Sequence, residues 1–176
     1  MWGGVNVAVE ALGLEAGWLG MMPRAARQKL LSLATRVSFE AGSDIVREGE
    51  RADRLGIVLA GRAALQLQAG ERGRITVETA EAGDVFGLSA IVPPHRATTS
   101  VTAQGPVEAL IIDPDVLRAA FAEDCELTAS VYFAVARALL RRLTAAHDAL
   151  LDVFGAPRST GPLGTRSTPQ TTPPAA

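Results

Sequence analysis

The stretch GDVFGLSAIVPPHRATTSV, residues Gly83–Val101, gathers the side chains of this sequence best suited to hold an anion. A short helix starting near Leu88 would point unpaired backbone N–H groups and a positive dipole end outward from Gly87, Leu88, Ser89 and Ala90. Such an end accepts a phosphate or a carboxylate. Gly87 has no side chain to obstruct close approach. Arg96 can add a bidentate, charge-assisted contact, and Thr98, Thr99 and Ser100 supply hydroxyls beside it.

Other candidate groups are sparse. A metal site on β-strands needs several histidines and a carboxylate close together, and the two histidines, His95 and His147, are far apart in the chain. His95, between prolines and Arg96, reads as an exposed loop residue. Glu48 with Glu50, and Glu123 with Asp124, read as solvated turns and helix starts. Arg137, Arg141 and Arg142 read as a solvated helix face, too small to specify DNA. No nucleophile–base pair, phosphate loop or dinucleotide fingerprint occurs, so no catalysis and no metal are expected. Cys125 is the single cysteine, which excludes an intramolecular disulfide framework, and it reads as a buried, structural thiol near a helix start.

The elements that must position Gly83–Val101 follow from composition and periodicity. The chain has 176 residues, 48% of them hydrophobic, and a net charge of −2. That suits one domain with a sizeable core. No apolar run is long enough for a membrane span, and a signal peptide is not expected because Glu10 and Glu15 interrupt the apolar opening. A cytoplasmic protein is expected. Residues 1–20 are broken by glycines and read as a loosely ordered lead-in. Pro23 suits the first turn of a helix, with Ala26, Leu30, Leu33, Ala34 and Val37 on one face.

Short runs punctuated by glycine follow: RVSFE, DIVRE, RLGIVLA, AALQLQ, RITVETA, DVFG, TTSVTA and VEALIID. Closely spaced short strands of this kind indicate an all-β barrel or roll. After Asp113, a plausible N-cap followed by Pro114, the helical period returns. Residues 126–153 form a long helix without Gly or Pro. It carries two apolar stripes: Val131, Val135, Leu139, Leu143, Ala146, Leu150 and Val153, and Phe133, Ala136, Leu140, Thr144, His147, Leu151 and Phe154. One stripe can dock on the roll, and the simplest partner for the other is the same helix of a second chain. Residues 155–176, rich in Pro, Thr, Ser and Gly, read as a disordered tail.

In this order the elements resemble the cyclic nucleotide-binding domain of Crp/Fnr-type regulators, in a stand-alone bacterial form. FEAGSDIVREGERADRLGIVLAGRAALQ resembles the first half of that β-roll, and FGLSAIVPPHR with TTSVTA resembles its phosphate-binding cassette. The resemblance spans roughly residues 18–154. It implies a mainly β fold with flanking helices: a double-stranded β-helix (jelly roll) with an N-terminal helix, a short cassette helix and a long C-terminal helix, over residues 21–154. It also implies a regulatory, non-catalytic role, cAMP or cGMP as the ligand class, and a homodimer through helix 126–153. The helix-turn-helix of the DNA-binding members is not expected after Phe154, so neither is direct DNA binding.

The sequence departs from the family cassette twice. Leu88 stands where the family has the glutamate that binds the ribose hydroxyl. Arg96 lies five residues before Val101, whereas the family arginine lies four before that valine, at the position of Ala97. Either the loop absorbs the extra residue or Arg96 points to solvent. A hydrogen bond to a charged group contributes about 1.5–3 kcal/mol, so the missing carboxylate alone weakens a nucleotide site about ten- to a hundredfold. The expectation is a degenerate cassette at Gly87, Leu88, Ser89, Ala90, Arg96, Ala97, Thr98 and Thr99. It binds cyclic nucleotide weakly or not at all, within a dimeric module with a protein partner. The alternative is a sensor of cAMP, cGMP or another small anion.

Overall fold

The computed structural model describes residues 17–153. The remaining lead-in residues and the tail lie outside the described residues. By contacts the chain divides into two units, Met1–Leu140 and Arg141–Ala176.

Among the described residues, the first unit holds eight antiparallel strands in two sheets. One sheet runs β1 (Ala34–Phe39), β8 (Val107–Ile112), β3 (Leu55–Ala60), β6 (Val85–Phe86). The other runs β2 (Asp44–Val46), β7 (Ser100–Ala103), β4 (Ala63–Gln68), β5 (Arg74–Ala80). The glycine-punctuated runs of the sequence supply these strands, and the chain crosses from one sheet to the other at every connection except the β4–β5 hairpin. Ile45, Val58, Leu65, Phe86, Val101 and Val107 fill the space between the sheets. The Phe86 ring lies directly on Gly56, where an added Cβ would come within 2.0 Å of its Cζ. Two turns demand glycine by conformation as well as space. Gly61 has φ +85 against the Pro106 carbonyl, and Gly87 has φ +73.

Helix α1 (Arg24–Ser32) begins after Pro23 and ends earlier than its periodicity predicts. Ala34 and Val37 belong to β1, opposite Ile112 and Ala109 of β8. The ladder offered by β8 overrides the helical spacing, and β-branched Thr35 and Val37 suit it. Helix α2 (Pro114–Glu123) is capped by Asp113, whose carboxylate accepts from the amides of Asp115 at 2.7 Å and Val116 at 3.3 Å.

Helix α3 (Cys125–Val153) follows almost at once. Its Leu127, Val131, Ala134, Val135 and Ala138 are buried with Trp18, Leu19, Leu30, Leu88, Ile91 and Leu117 in a second core. Tyr132, Phe133, Leu139 and Leu140 are exposed on the same helix. In the second unit, Leu143, Leu150 and Leu151 are exposed as well. No helix among the described residues is long and apolar enough to cross a membrane.

Candidate functional site

The segment Gly83–Val101 leaves β6 by a left-handed glycine and returns to β7. Gly87 caps a three-residue 3-10 turn, Leu88–Ala90. A Cβ at Gly87 would lie 2.3 Å from the Arg54 carbonyl oxygen. The glycine therefore serves the chain's own backbone crossing as well as any ligand's approach. The turn closes through Ala90 N–H to the Gly87 carbonyl and Ile91 N–H to the Leu88 carbonyl, at 2.9 and 3.0 Å.

The return limb is stitched to the loop between β2 and β3. Gly49 N–H donates to the Ala97 carbonyl at 2.8 Å, Ala97 N–H to the Glu50 carbonyl at 2.9 Å, and Ala52 N–H to the His95 carbonyl at 2.9 Å. Arg51 and Arg96 face each other in an antiparallel bridge. Glu48 N–H donates to the buried Ser100 hydroxyl at 3.1 Å. His95, at φ +58, sets its Nδ1 3.2 Å from the Ala90 carbonyl.

These ties fix where each candidate side chain goes. Extended neighbours point to opposite sides. Arg96 is exposed and donates from Nη1 to the Gly49 carbonyl at 2.7 Å. Ala97 is 6% exposed and packs between the sheets with Val46, Val101 and Ala103. Leu88, 4% exposed, packs in the helix-side core. Ala90 is fully buried. The hydroxyls of Ser89 and Thr98 come within 3.5 Å of each other, and Thr99 is half-buried. The turn and Thr98 thus meet through Ser89, while Arg96 is exposed and its neighbour Ala97 is buried. Leu88 and Ile91 belong to the helix-side core, and Ala97 to the core between the sheets.

A second group lies on the outer side, and sequence reasoning missed it. Arg118 of α2 donates from Nη1 to the Ala90 carbonyl at 3.1 Å and from Nη2 to Asp115. Arg51 donates to the other oxygen of Asp115 at 3.2 Å. The spacing of Asp115 and Arg118 on one helix face signals their pairing. Nothing in the sequence signals the reach to Ala90 or Arg51. Among the described residues, no three His, Cys, Asp or Glu converge as metal ligands.

The profile of the cyclic nucleotide-binding domain matches residues 36–124, just over half of the chain. The chain belongs to the cyclic nucleotide-binding domain family. A CRP-like cAMP-activated global transcriptional regulator of Mycobacterium tuberculosis is 30% identical over 118 residues, which are 67% of this chain and 51% of the regulator. The chain spans about half the length of the curated relatives it matches. The regulatory domain of PKA from Toxoplasma gondii, solved with cAMP, is 25% identical with a TM-score of 0.53, covering 62% of this chain and 41% of that one. A cyclic nucleotide-binding domain from Methylobacillus flagellatus shares the fold with a TM-score of 0.66 at 19% identity, covering 89% of this chain and 88% of that one. The β-roll of this cyclic nucleotide-binding family and its flanking helices are the architecture described above.

Proposed function

We propose that this protein is a non-catalytic regulatory domain whose cassette is degenerate, acting as a dimeric interaction module rather than as a cyclic-nucleotide sensor. The observation that carries this reading is the opposite facing of two adjacent residues. Ala97, in the slot of the family arginine, is buried between the sheets, and Arg96 faces outward to the Gly49 carbonyl. Leu88, in the slot of the family glutamate, is buried as well. A cyclic phosphate inside the roll would then meet methyl groups where it needs charge, and a ribose hydroxyl would meet Leu88. Each unmatched polar group opposes binding.

Dimerisation through α3 is the second half of the reading. It is supported by Tyr132, Leu139, Leu143 and Leu150, all exposed and recurring at coiled-coil spacing. An apolar helix face of this kind is stable in water when a second copy covers it. Cys125 is exposed, not buried as its sequence context suggests, because it stands at the first position of α3.

The test is calorimetric titration of cAMP and of cGMP into the purified protein, with Arg96→Ala in parallel. No heat of binding is expected up to millimolar nucleotide for either protein. Micromolar binding that disappears in Arg96→Ala would overturn the reading and make the protein a nucleotide sensor.

A further inference from the structure

Arg51 and Arg96 stand directly opposite each other in their bridge. Residues so paired project to the same side, with Cβ atoms ~5 Å apart, and like charges in that relation repel. Both side chains are exposed. Arg118 joins them from α2, since Arg51 and Arg118 hold the two oxygens of Asp115. Arg96 donates to the carbonyl of Gly49, a neutral acceptor. Nearby carboxylates are turned to other partners. Glu48 accepts from the Gln68 amide at 2.8 Å, Glu50 lies 3.9 Å from Arg47, and Asp53 is held by Arg54 at 2.8 Å. Two guanidinium groups therefore share one carboxylate, and a third, Arg96, projects to the same side as Arg51 without a carboxylate partner among the described residues.

We infer that Arg51, Arg96 and Arg118 form a docking surface for an acidic segment of a protein partner. The inference rests on the interaction-module reading and names the chemistry of its partner. Exposure argues for a segment over a small anion. The side chains of Arg51 and Asp115 are 73% and 68% exposed, and a single ion pair in such surroundings is weak. A run of carboxylates engages several guanidinium forks together, each in the planar geometry Arg favours. Nucleic acid fits poorly. A chain of net charge −2, with a carboxylate in the middle of the patch, lacks the extended positive field that follows a phosphate backbone. Asp115 has a definite part in this arrangement. It occupies Arg51 and Arg118 until a partner's carboxylates displace it.

The test uses the full chain and a fluorescein-labelled octaglutamate peptide, read by anisotropy at low salt. The wild type is expected to bind, with affinity falling as salt rises. Arg51→Ala/Arg96→Ala should weaken binding about fivefold, the summed effect of two exposed pairs. Asp115→Asn should tighten it about threefold, because it frees two guanidinium groups. Arg36→Ala/Arg62→Ala removes the same charge from pairs with Glu108 and Glu81 and should leave binding within about twofold. Thermal melts verify that each variant folds.

Absence of binding by the wild type, an unaffected Arg51→Ala/Arg96→Ala, a weaker or unchanged Asp115→Asn, or an equal loss in the control pair would each overturn the assignment. So would tighter binding of labelled oligothymidylate lost through the same two arginines, which would make the patch a nucleic-acid surface. The two readings fail separately. Peptide failure alongside calorimetric silence and an intact dimer removes the patch alone. Nucleotide binding in calorimetry removes the interaction-module reading itself.

Discussion

Ala97 and Arg96 are covalent neighbours in opposite media, one among methyl groups and one in water. Substitutions at the two positions should therefore be unequal. Ala97→Arg forces a guanidinium between the sheets with no carboxylate to meet it, and should cost about 3 kcal/mol or more of stability in urea unfolding. Arg96→Ala loses an exposed bond to a carbonyl and should cost less than about 1 kcal/mol. Similar small losses at both positions would contradict the facing described above. The sequence carried the question at this scale without its answer. The offset of one residue between Arg96 and Val101 was legible, as was the leucine after Gly87. Which way each side chain turns depends on the bridge to Arg51 and the amide bonds to Gly49 and Glu50, which join segments some 45 residues apart. The same holds for Gly87. Composition suggests room for a ligand, yet the atom that would meet its Cβ belongs to the Arg54 backbone.

At the scale of elements, a polar belt crosses the sheet β2-β7-β4-β5. Arg74 of β5 grips Asp44 of β2 with both terminal nitrogens, at 2.6 and 3.1 Å. The Thr102 hydroxyl on β7 lies 3.0 Å from Asp44 and 3.1 Å from the Gln66 side-chain oxygen, and Gln66 of β4 donates to Thr76 of β5 at 3.3 Å. The Arg74 hydrogen bond is the main cause that holds the Asp44 carboxyl down to about 2, helped by Thr102 and Arg47 against partial burial. A carboxyl depressed in the folded state stabilises above its unfolded value and stops doing so as pH falls toward the folded value. Stability should thus drop by roughly 1 kcal/mol between pH about 4 and 2 on this account, after allowance for solvent screening. Asp44→Asn should flatten that part of the profile of Tm against pH. If both profiles fall in parallel, other carboxylates govern the acid limb. The strands themselves were legible, because short alternating runs between glycines have few other destinations. The end of α1 was not, because Ala34 and Val37 satisfy a helical period and a strand partner equally well and only the β8 ladder decides.

For the molecule as a whole, α3 changes character along its length. Up to Ala138 it contributes side chains to the core, while Leu139, Leu143 and Leu150 are exposed. Both apolar stripes were visible in the sequence. Which residues of each stripe would be buried was not, since the same period runs through buried Val131 and Val135 and exposed Leu139. If a second copy covers the exposed residues, Leu139→Glu/Leu143→Glu should shift the protein from dimer to monomer in sedimentation velocity. The fold should be unchanged, because neither side chain is in the core. Retention of the dimer would send the interface elsewhere.

Trp18 has its indole Nε1 buried with no hydrogen-bond partner among the described residues, in the same core as Leu88 and Ile91, and its backbone N–H donates to the Gly83 carbonyl at the head of the cassette segment. An indole in dry, apolar surroundings emits at shorter wavelength than one in water, because no solvent dipoles relax around its excited state. In a chain with two tryptophans, replacing Trp2 by phenylalanine leaves this one as the source of the signal. The molecule thus carries its own optical gauge of the cassette: any event that loosens the packing around Leu88, by ligand, partner or acid, is written in the colour of a single residue's light.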